Sequence, residues 1–357
     1  MTNRRDFLRQ SAAAGIWAAL FQPVAGACES AGVNRPANIV QTVLGALDAS
    51  KLGFTLPHEH IADGPYFLNK WTNGGRREFT AQAIEKLKLA RAAGVDTIVD
   101  LTSYDVGRDI RFLEEVSQQS GITMIACTGQ RFFPPQYPGV SMPSRTIEGL
   151  AEFFRKEIEQ GIDGTGIKAG VIKIGIVAKT PTELEVIGLR AAVRASKATR
   201  TSIRIHNRAI DRAADNLIGI LNDEGMNPSK VSFDHSDDSG DPDYFLGLVR
   251  RGYSLGMDHV HRGLKPGANP SFERRADCIK LLIDAGFAGK LFLSQDEEFG
   301  GSLLAEEAQD FRSKLDPKDG LLFTTQTLIP HLKSIGVSEA SIRMMTVENP
   351  RRFLELS

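Results

Sequence analysis

Short apolar or β-branched runs alternate with longer amphipathic stretches along most of this chain. Runs at 53–56, 97–101, 123–126, 171–176, 202–205, 231–233, 253–257 and 291–293 predict strands. Between them, stretches such as 81–93, 148–160, 182–196 and 273–285 carry apolar residues at helical spacing. Strand runs separated by helix-length connections predict parallel pairing with crossovers. Eight such units predict an α/β fold, a single (β/α)8 (TIM) barrel. The rival is a doubly wound open sheet, but no Gly-rich nucleotide turn follows the first run. No Pro/Ser-rich linker or low-complexity tract interrupts the pattern, so 51–357 reads as one domain, preceded at 28–50 by a short N-terminal strand or hairpin extension.

The first residues read differently. Arg4-Arg5-Asp6-Phe7-Leu8 is a twin-arginine pair followed by apolar residues, 11–24 is Ala-rich and apolar, and Ala25-Gly26-Ala27 supplies small residues for a peptidase. Residues 1–27 are therefore expected to be a cleaved twin-arginine export signal, with the protein in the periplasm or cell envelope. An amphipathic N-terminal helix is the alternative. Cys28 follows a tripeptide that weakly resembles a lipoprotein box, so lipid anchoring there stays open. The apolar stretch is too short to span a bilayer, and no integral membrane segment is expected in the mature chain.

Composition narrows the partners. The chain has 43 Lys and Arg against 44 Asp and Glu, a formal net charge of −1, which removes the electrostatic case for nucleic acid or an anionic membrane. Cys28, Cys127 and Cys278 are too scattered for a disulfide framework or a thiolate metal site.

The histidines carry the chemistry. Alternate strand residues share a face, so in Pro57-His58-Glu59-His60 the two imidazoles can point together while Glu59 faces away. That pair suits a borderline-soft divalent ion, although an exposed strand end also accommodates it. His206, His235, Asp258 and Asp296 follow their runs directly, where a barrel gathers its active site. Either histidine alone fits a structural role, and Asp296 alone fits a helix cap. In a closed barrel, however, the eighth strand neighbours the first, and Asp296 would face His58 and His60. Lys173 lies inside Val171-Ile172-Lys173-Ile174. A buried ammonium is costly unless paired or deprotonated. Either it reaches a buried carboxylate, or the free amine has captured carbon dioxide as a carbamate able to bridge two cations.

These residues carry a resemblance. Gly53-Phe54-Thr55-Leu56-Pro57-His58-Glu59-His60, Ala169-Gly170-Val171-Ile172-Lys173, His235-Ser236-Asp237-Asp238, Gly256-Met257-Asp258-His259 and Glu348-Asn349-Pro350-Arg351-Arg352-Phe353-Leu354 resemble, in order, the signatures of the bacterial phosphotriesterase family of the amidohydrolase superfamily. The resemblance implies a binuclear-metal hydrolase. One metal would sit on His58, His60 and Asp296, the other on His206 and His235, with carboxylated Lys173 and a hydroxide bridging both. Zinc is the implied metal, and cobalt, manganese or iron can support the same chemistry. The hydroxide would attack a small-molecule ester, Asp296 would take the released proton, and His259 and Asp238 would relay it to solvent. Asp238 also fits a turn cap in Ser236-Asp237-Asp238-Ser239-Gly240. A homodimer is implied by resemblance alone.

Substrate choice rests on the pocket. Lactonase-like relatives usually carry arginine where His259 stands, which favours a phosphotriester here over a lactone or ester. Against this, Arg131 in Thr128-Gly129-Gln130-Arg131-Phe132-Phe133 replaces an apolar aromatic typical of the family's phosphotriesterases. It would favour an anionic or carbonyl-rich substrate if it points inward, and a rim salt bridge if it does not. Phe132, Phe133, Phe67 and Trp71 are candidate pocket walls and equally candidate packing residues, His261 is a candidate pocket residue, and His331 has no expected role. A non-catalytic, metal-supported binding protein is the remaining alternative.

Overall fold

The computed structural model describes residues 38–61, 75–137, 139–299 and 320–356. The leader, Cys28, Phe67 and Trp71 lie outside them. An antiparallel hairpin of β1 (Ile39–Thr42) and β2 (Gly45–Asp48) opens the described chain. The barrel follows as β3 (Thr55–Glu59), α1 (Arg76–Ala92), β4 (Thr97–Asp100), α2 (Ile110–Ser120), β5 (Thr123–Gln130), α3 (Ile147–Glu159), β6 (Val171–Gly175) and α4 (Glu183–Thr199). It continues through β7 (Ile203–His206), α5 (Ala214–Asp223), β8 (Val231–Asp234), α6 (Pro242–Arg250), β9 (Ser254–Met257), α7 (Phe272–Asp284) and β10 (Leu291–Leu293). Strands β3 to β10 pair in parallel in sequence order. Main-chain bonds just past the last strand join β10 to β3: Asp296 N to His58 O at 3.1 Å, His60 N to Glu297 O at 2.8 Å and Phe299 N to His60 O at 2.9 Å. Among the described residues no helix is long and apolar enough to cross a membrane.

Strand alternation makes two cores. Ile172, Ile174, Ile203, Ile205, Phe233 and Leu255 pack outward with the helices. Val99, Leu101, Ile125, Cys127, Val171 and Phe292 pack with the hairpin's Val40 and with Phe353 and Leu354 of the C-terminal helix α8 (Asn349–Leu354). The hairpin is held by Val43 N to Met124 O at 2.9 Å, near the start of β5, so it seals the N-terminal end of the barrel. Interior residues past Val171 become polar toward the open end. Lys173, Arg204 and Asp234 share the inward phase and are fully or almost fully buried.

One strand is longer than its apolar pattern. The run at 123–126 continues to Gln130, because residues 127–130 pair with β6 after 123–126 have paired with β4. Thr128 and Gln130 hide this continuation from a hydrophobicity reading. Gly129 has φ +116°, and a Cβ there would lie 1.8 Å from the Lys173 carbonyl oxygen.

Gly129→Ala is therefore expected to destabilise the fold by about 3 kcal/mol or more, from strain plus a main-chain clash. Gly219→Ala, in exposed helix with open space around the new methyl, is expected to be neutral or stabilising by up to about 1 kcal/mol. Denaturant unfolding of both variants checks the contrast, and equal midpoints would contradict it.

Candidate metal centre

The floor of the site is a buried charge network. Lys173 Nζ donates to Asp234 Oδ2 at 2.9 Å. The Arg204 guanidinium reaches Asp234 Oδ1 at 2.7 Å and Asp258 Oδ2 at 3.9 Å, and lies 5.2 Å over the Phe292 ring. Gly256 leaves room for it: a Cβ there would lie 2.7 Å from Asp258 Oδ2 and 3.1 Å from the Arg204 Nη2. Burial lowers the Lys173 pKa, opposed by Asp234. Burial raises that of Asp234, but Arg204 and Lys173 overcome this and hold it below the usual carboxylate range.

Asp258 stands on that floor and orients two imidazoles. Its Oδ2 takes His58 Nδ1 at 2.6 Å, and its Oδ1 takes His235 Nδ1 at 2.9 Å and the His235 amide at 2.8 Å. An ionised carboxylate only accepts, so both rings carry their proton on Nδ1 and turn Nε2 outward as a lone pair. Burial works against the Asp258 charge, but His235 and His58 hold its pKa well below the ordinary value. His60 Nδ1 lies 3.2 Å from Thr102 Oγ1, which likewise leaves Nε2 facing the lumen.

Those Nε2 atoms meet a carboxylate. Asp296 Oδ1 lies 3.3 Å from Nε2 of both His58 and His60 and makes no hydrogen bond. Ligand atoms about 2.1 Å from a tetrahedral zinc-sized ion lie about 3.4 Å apart. The donor set and its spacing therefore fit a divalent cation. A second pair lies beside it, with His206 Nδ1 2.7 Å from His235 Nε2. Burial, then His235 and the Arg131 charge, depress the His206 pKa, which favours the neutral form a ligand needs. Among the described residues no three-residue His/Cys/Asp/Glu cluster includes His206.

Asp296 also begins a chain to solvent. Its Oδ2 lies 2.8 Å from His259 Nε2, and His259 Nδ1 lies 2.8 Å from Asp238 Oδ2. Asp238 is 29% exposed, and Arg275 donates to its other oxygen at 2.8 Å. Burial alone would lower the His259 pKa, but its bonds to Asp238 and Asp296 push it up to about 9. His259 stacks on His235 at 4.0 Å between centroids. Asp296 and His235 both sit in the left-handed region, at φ 50° and 58°. Such conformations persist where surrounding bonds over-determine them. For Asp296 the restraint is Glu59, which faces away from the two histidines. It accepts from Ser294 Oγ at 2.6 Å, the Gln295 amide at 3.3 Å and the Glu297 amide at 2.8 Å.

The remaining candidates lie above or beside this centre. Arg131 and Phe132 are half-buried at the end of β5, with the guanidinium 5.3 Å over the Phe132 ring. Phe133 is packed against Gly188 and belongs to the helix layer. His261 is edge-on to Phe323 at 5.7 Å, and burial pushes its pKa down to about 3. His331 lies against Phe272 at 4.7 Å. Asp234, Arg204, Thr102 and Glu59 were not among the candidates from sequence, and Asp258 had no assigned role. The signal for three of them was present: Arg204 precedes His206 by two residues, and Asp234 and Asp258 precede His235 and His259 by one.

Comparison with known proteins agrees with this geometry. The phosphotriesterase family profile matches residues 38–354. An aryldialkylphosphatase from Saccharolobus solfataricus is 30% identical over 324 residues, covering 86% of this chain and 96% of its own. N-acetyltaurine hydrolase from Xenopus tropicalis is 26% identical over 352 residues, covering 88% and 97%. A solved structure of an organophosphate hydrolase engineered from a weak promiscuous lactonase superposes with a TM-score of 0.75 at 28% identity, covering 88% of this chain and 99% of that one. With the profile running from the hairpin to the last helix, the chain belongs to the phosphotriesterase family of metal-dependent hydrolases.

Proposed function

We propose that this chain is a two-cation hydrolase of phosphotriesters. His58, His60 and Asp296 would hold one divalent ion and His206 and His235 the other, with a carbamate on Lys173 serving both. Zinc is the proposed metal, with cobalt or manganese as working substitutes. The observation that carries this reading is the convergence of His58 Nε2, His60 Nε2 and Asp296 Oδ1 at 3.3 Å, with Asp296 Oδ2 already linked to a path outward. Bound cations of this class lower the pKa of a water and polarise the substrate's P=O or C=O.

The chain's own residues supply the rest. Asp258 fixes the tautomer and ring planes of His58 and His235, and Thr102 those of His60. Asp296 Oδ2 accepts a proton; His259, in its neutral form with the proton on Nδ1, takes it at Nε2 and gives the Nδ1 proton to Asp238, which delivers it to solvent. For the carbamate, the neutral Lys173 amine adds to carbon dioxide, forming an N–C bond and releasing a proton. Asp234, 2.9 Å away, is placed to accept it. A binding protein with purely structural metals would not need the path from Asp296 to Asp238.

A second reading, hydrolysis of a lactone or carboxylic ester, is favoured by Arg131. A cation at the mouth suits a polar acyl substrate better than a neutral aryl phosphotriester. The lactonase origin of the structural relative supports the same reading. A side-by-side assay of an aryl phosphotriester, an aryl ester and short lactones, with zinc- and cobalt-loaded protein, separates the two.

Chelation is expected to abolish turnover and divalent metal to restore it; chelator-resistant turnover would sink the proposal. Asp296→Asn should lower kcat by about 10²-fold or more while the fold persists. Asp258→Asn, which touches no substrate, should weaken metal retention by about 10- to 100-fold in competition with a chelator. Lys173→Ala should lose metal and activity, with partial recovery in a short carboxylic acid plus metal. Absence of any recovery would leave the carbamate without support.

A further inference from the structure

Two guanidinium groups flank the mouth from opposite sides. Arg131 follows β5, the third barrel strand, and Arg262 follows β9, the seventh. In a ring of eight strands those positions are four apart. The Arg131 main chain is clamped. Its amide donates to Asp105 at 3.0 Å, and its carbonyl oxygen would lie 1.7 Å from a Cβ on Gly175, two residues beyond Lys173. Its side chain is half-buried against Phe132, and among the described residues no carboxylate pairs with it. The charge reaches the centre, where it adds to the depression of the Lys173 and His206 pKa values.

Arg262 is 41% exposed, and its contact with the site among the described residues is a long one, Nη2 to Asp296 Oδ2 at 3.4 Å. That leaves most of its donors facing the mouth. Acids nearby are already committed. Asp237 and Asp238 are held by Arg275, and Glu297 by Lys86. Among the described residues, Arg131 has no carboxylate partner and Arg262 has only the long contact to Asp296, so both keep donors for a ligand at the open end of the barrel.

We propose that Arg131, with Arg262 as a second contact, selects a substrate that carries a carboxylate or sulfonate arm beside the scissile ester, phosphotriester or amide bond. The proposal rests on the hydrolase reading above and names the substrate class of that same site. A half-buried guanidinium held beside an aromatic ring is preorganised to take an oxyanion by two parallel N–H bonds. A neutral substrate in its place covers the charge and offers nothing in return. Arg131 and Arg262 act here as specificity-determining residues and do not touch the reacting atoms.

The test uses metal-loaded protein and two matched pairs. One pair is 3-carboxyphenyl acetate and its neutral methyl-ester analogue, read by release of the phenol. The other is the diethyl phosphate esters of the same two phenols. In each pair the leaving phenols differ in remote charge, with a smaller difference in size and acidity that cancels when a variant's ratio is compared with that of the wild type. The ratio of kcat/KM, anionic over neutral, is the readout, and it is independent of how much variant folds. The wild-type ratio is expected to exceed about 10 in the pair that is turned over, carried by KM. Arg131→Met should lower it about tenfold or more, Arg131→Lys should lower it less, and Arg131→Glu should reverse the preference. Arg262→Met should lower it by a smaller factor. A wild-type ratio near 1, or one that Arg131→Met and Arg131→Glu leave unchanged, overturns the proposal and leaves the hydrolase reading intact. Turnover of neither pair, nor of the ester and lactone panel, overturns both.

Discussion

One carboxylate governs the arrangement of this site. Asp258 is fully buried, and both of its oxygens are spent on imidazoles from different strands, His58 on β3 and His235 at the end of β8. An ionised acid at that depth requires cationic support, and Arg204 supplies it from below while also holding Asp234. The rest follows from this anchoring. Two ring planes are fixed and two Nε2 lone pairs are aimed at one region. Asp296 is brought to them by the closure of the barrel. The acids of the lumen outnumber its permanent cations, and that surplus of negative charge is what a pair of divalent ions would neutralise.

The barrel was legible in the sequence because its strands are buried on both faces and so read as nearly continuous apolar runs. Six of the expected runs end within one residue of the observed strands; the run at 53–56 stops three residues short of the end of β3, and the run at 123–126 stops four short of the end of β5. There the apolar signal stopped at residue 126 while the strand continued through Thr128, Gly129 and Gln130. Polar residues at the C-terminal half of a barrel strand line the active end, so hydropathy fades where function begins. The histidines, Lys173 and Asp296 stood out because ionisable groups inside apolar runs are costly. Asp258, Asp234 and Arg204 carried a local signal, each lying within two residues of a candidate histidine, but their roles did not show, since their partners are 23 to 200 residues away in sequence. Glu59 was assigned its facing by strand period, but its hold on the Asp296 turn depends on β10 returning beside β3.

Floor and mouth obey different constraints. Below, Lys173, Arg204, Asp234 and Asp258 hold one another and their inward positions are fixed by strand phase, which leaves little latitude for change. Above, the residues come from loops that follow the strands, and their charges are free to answer a substrate. Aryldialkylphosphatase and N-acetyltaurine hydrolase, two relatives with differently named activities, are compatible with that division.

The sealed end has a topological consequence. Ile39 bridges Leu356, with the Leu356 amide on the Ile39 carbonyl at 3.1 Å. The first and last described strand-like residues are thus neighbours, on the face opposite the catalytic opening. A short peptide could splice them, and new termini could be cut into one of the tight helix-to-strand turns on that same face. The barrel is in this sense a ring whose starting point is arbitrary, and its chemistry is carried by the circular order of the strands.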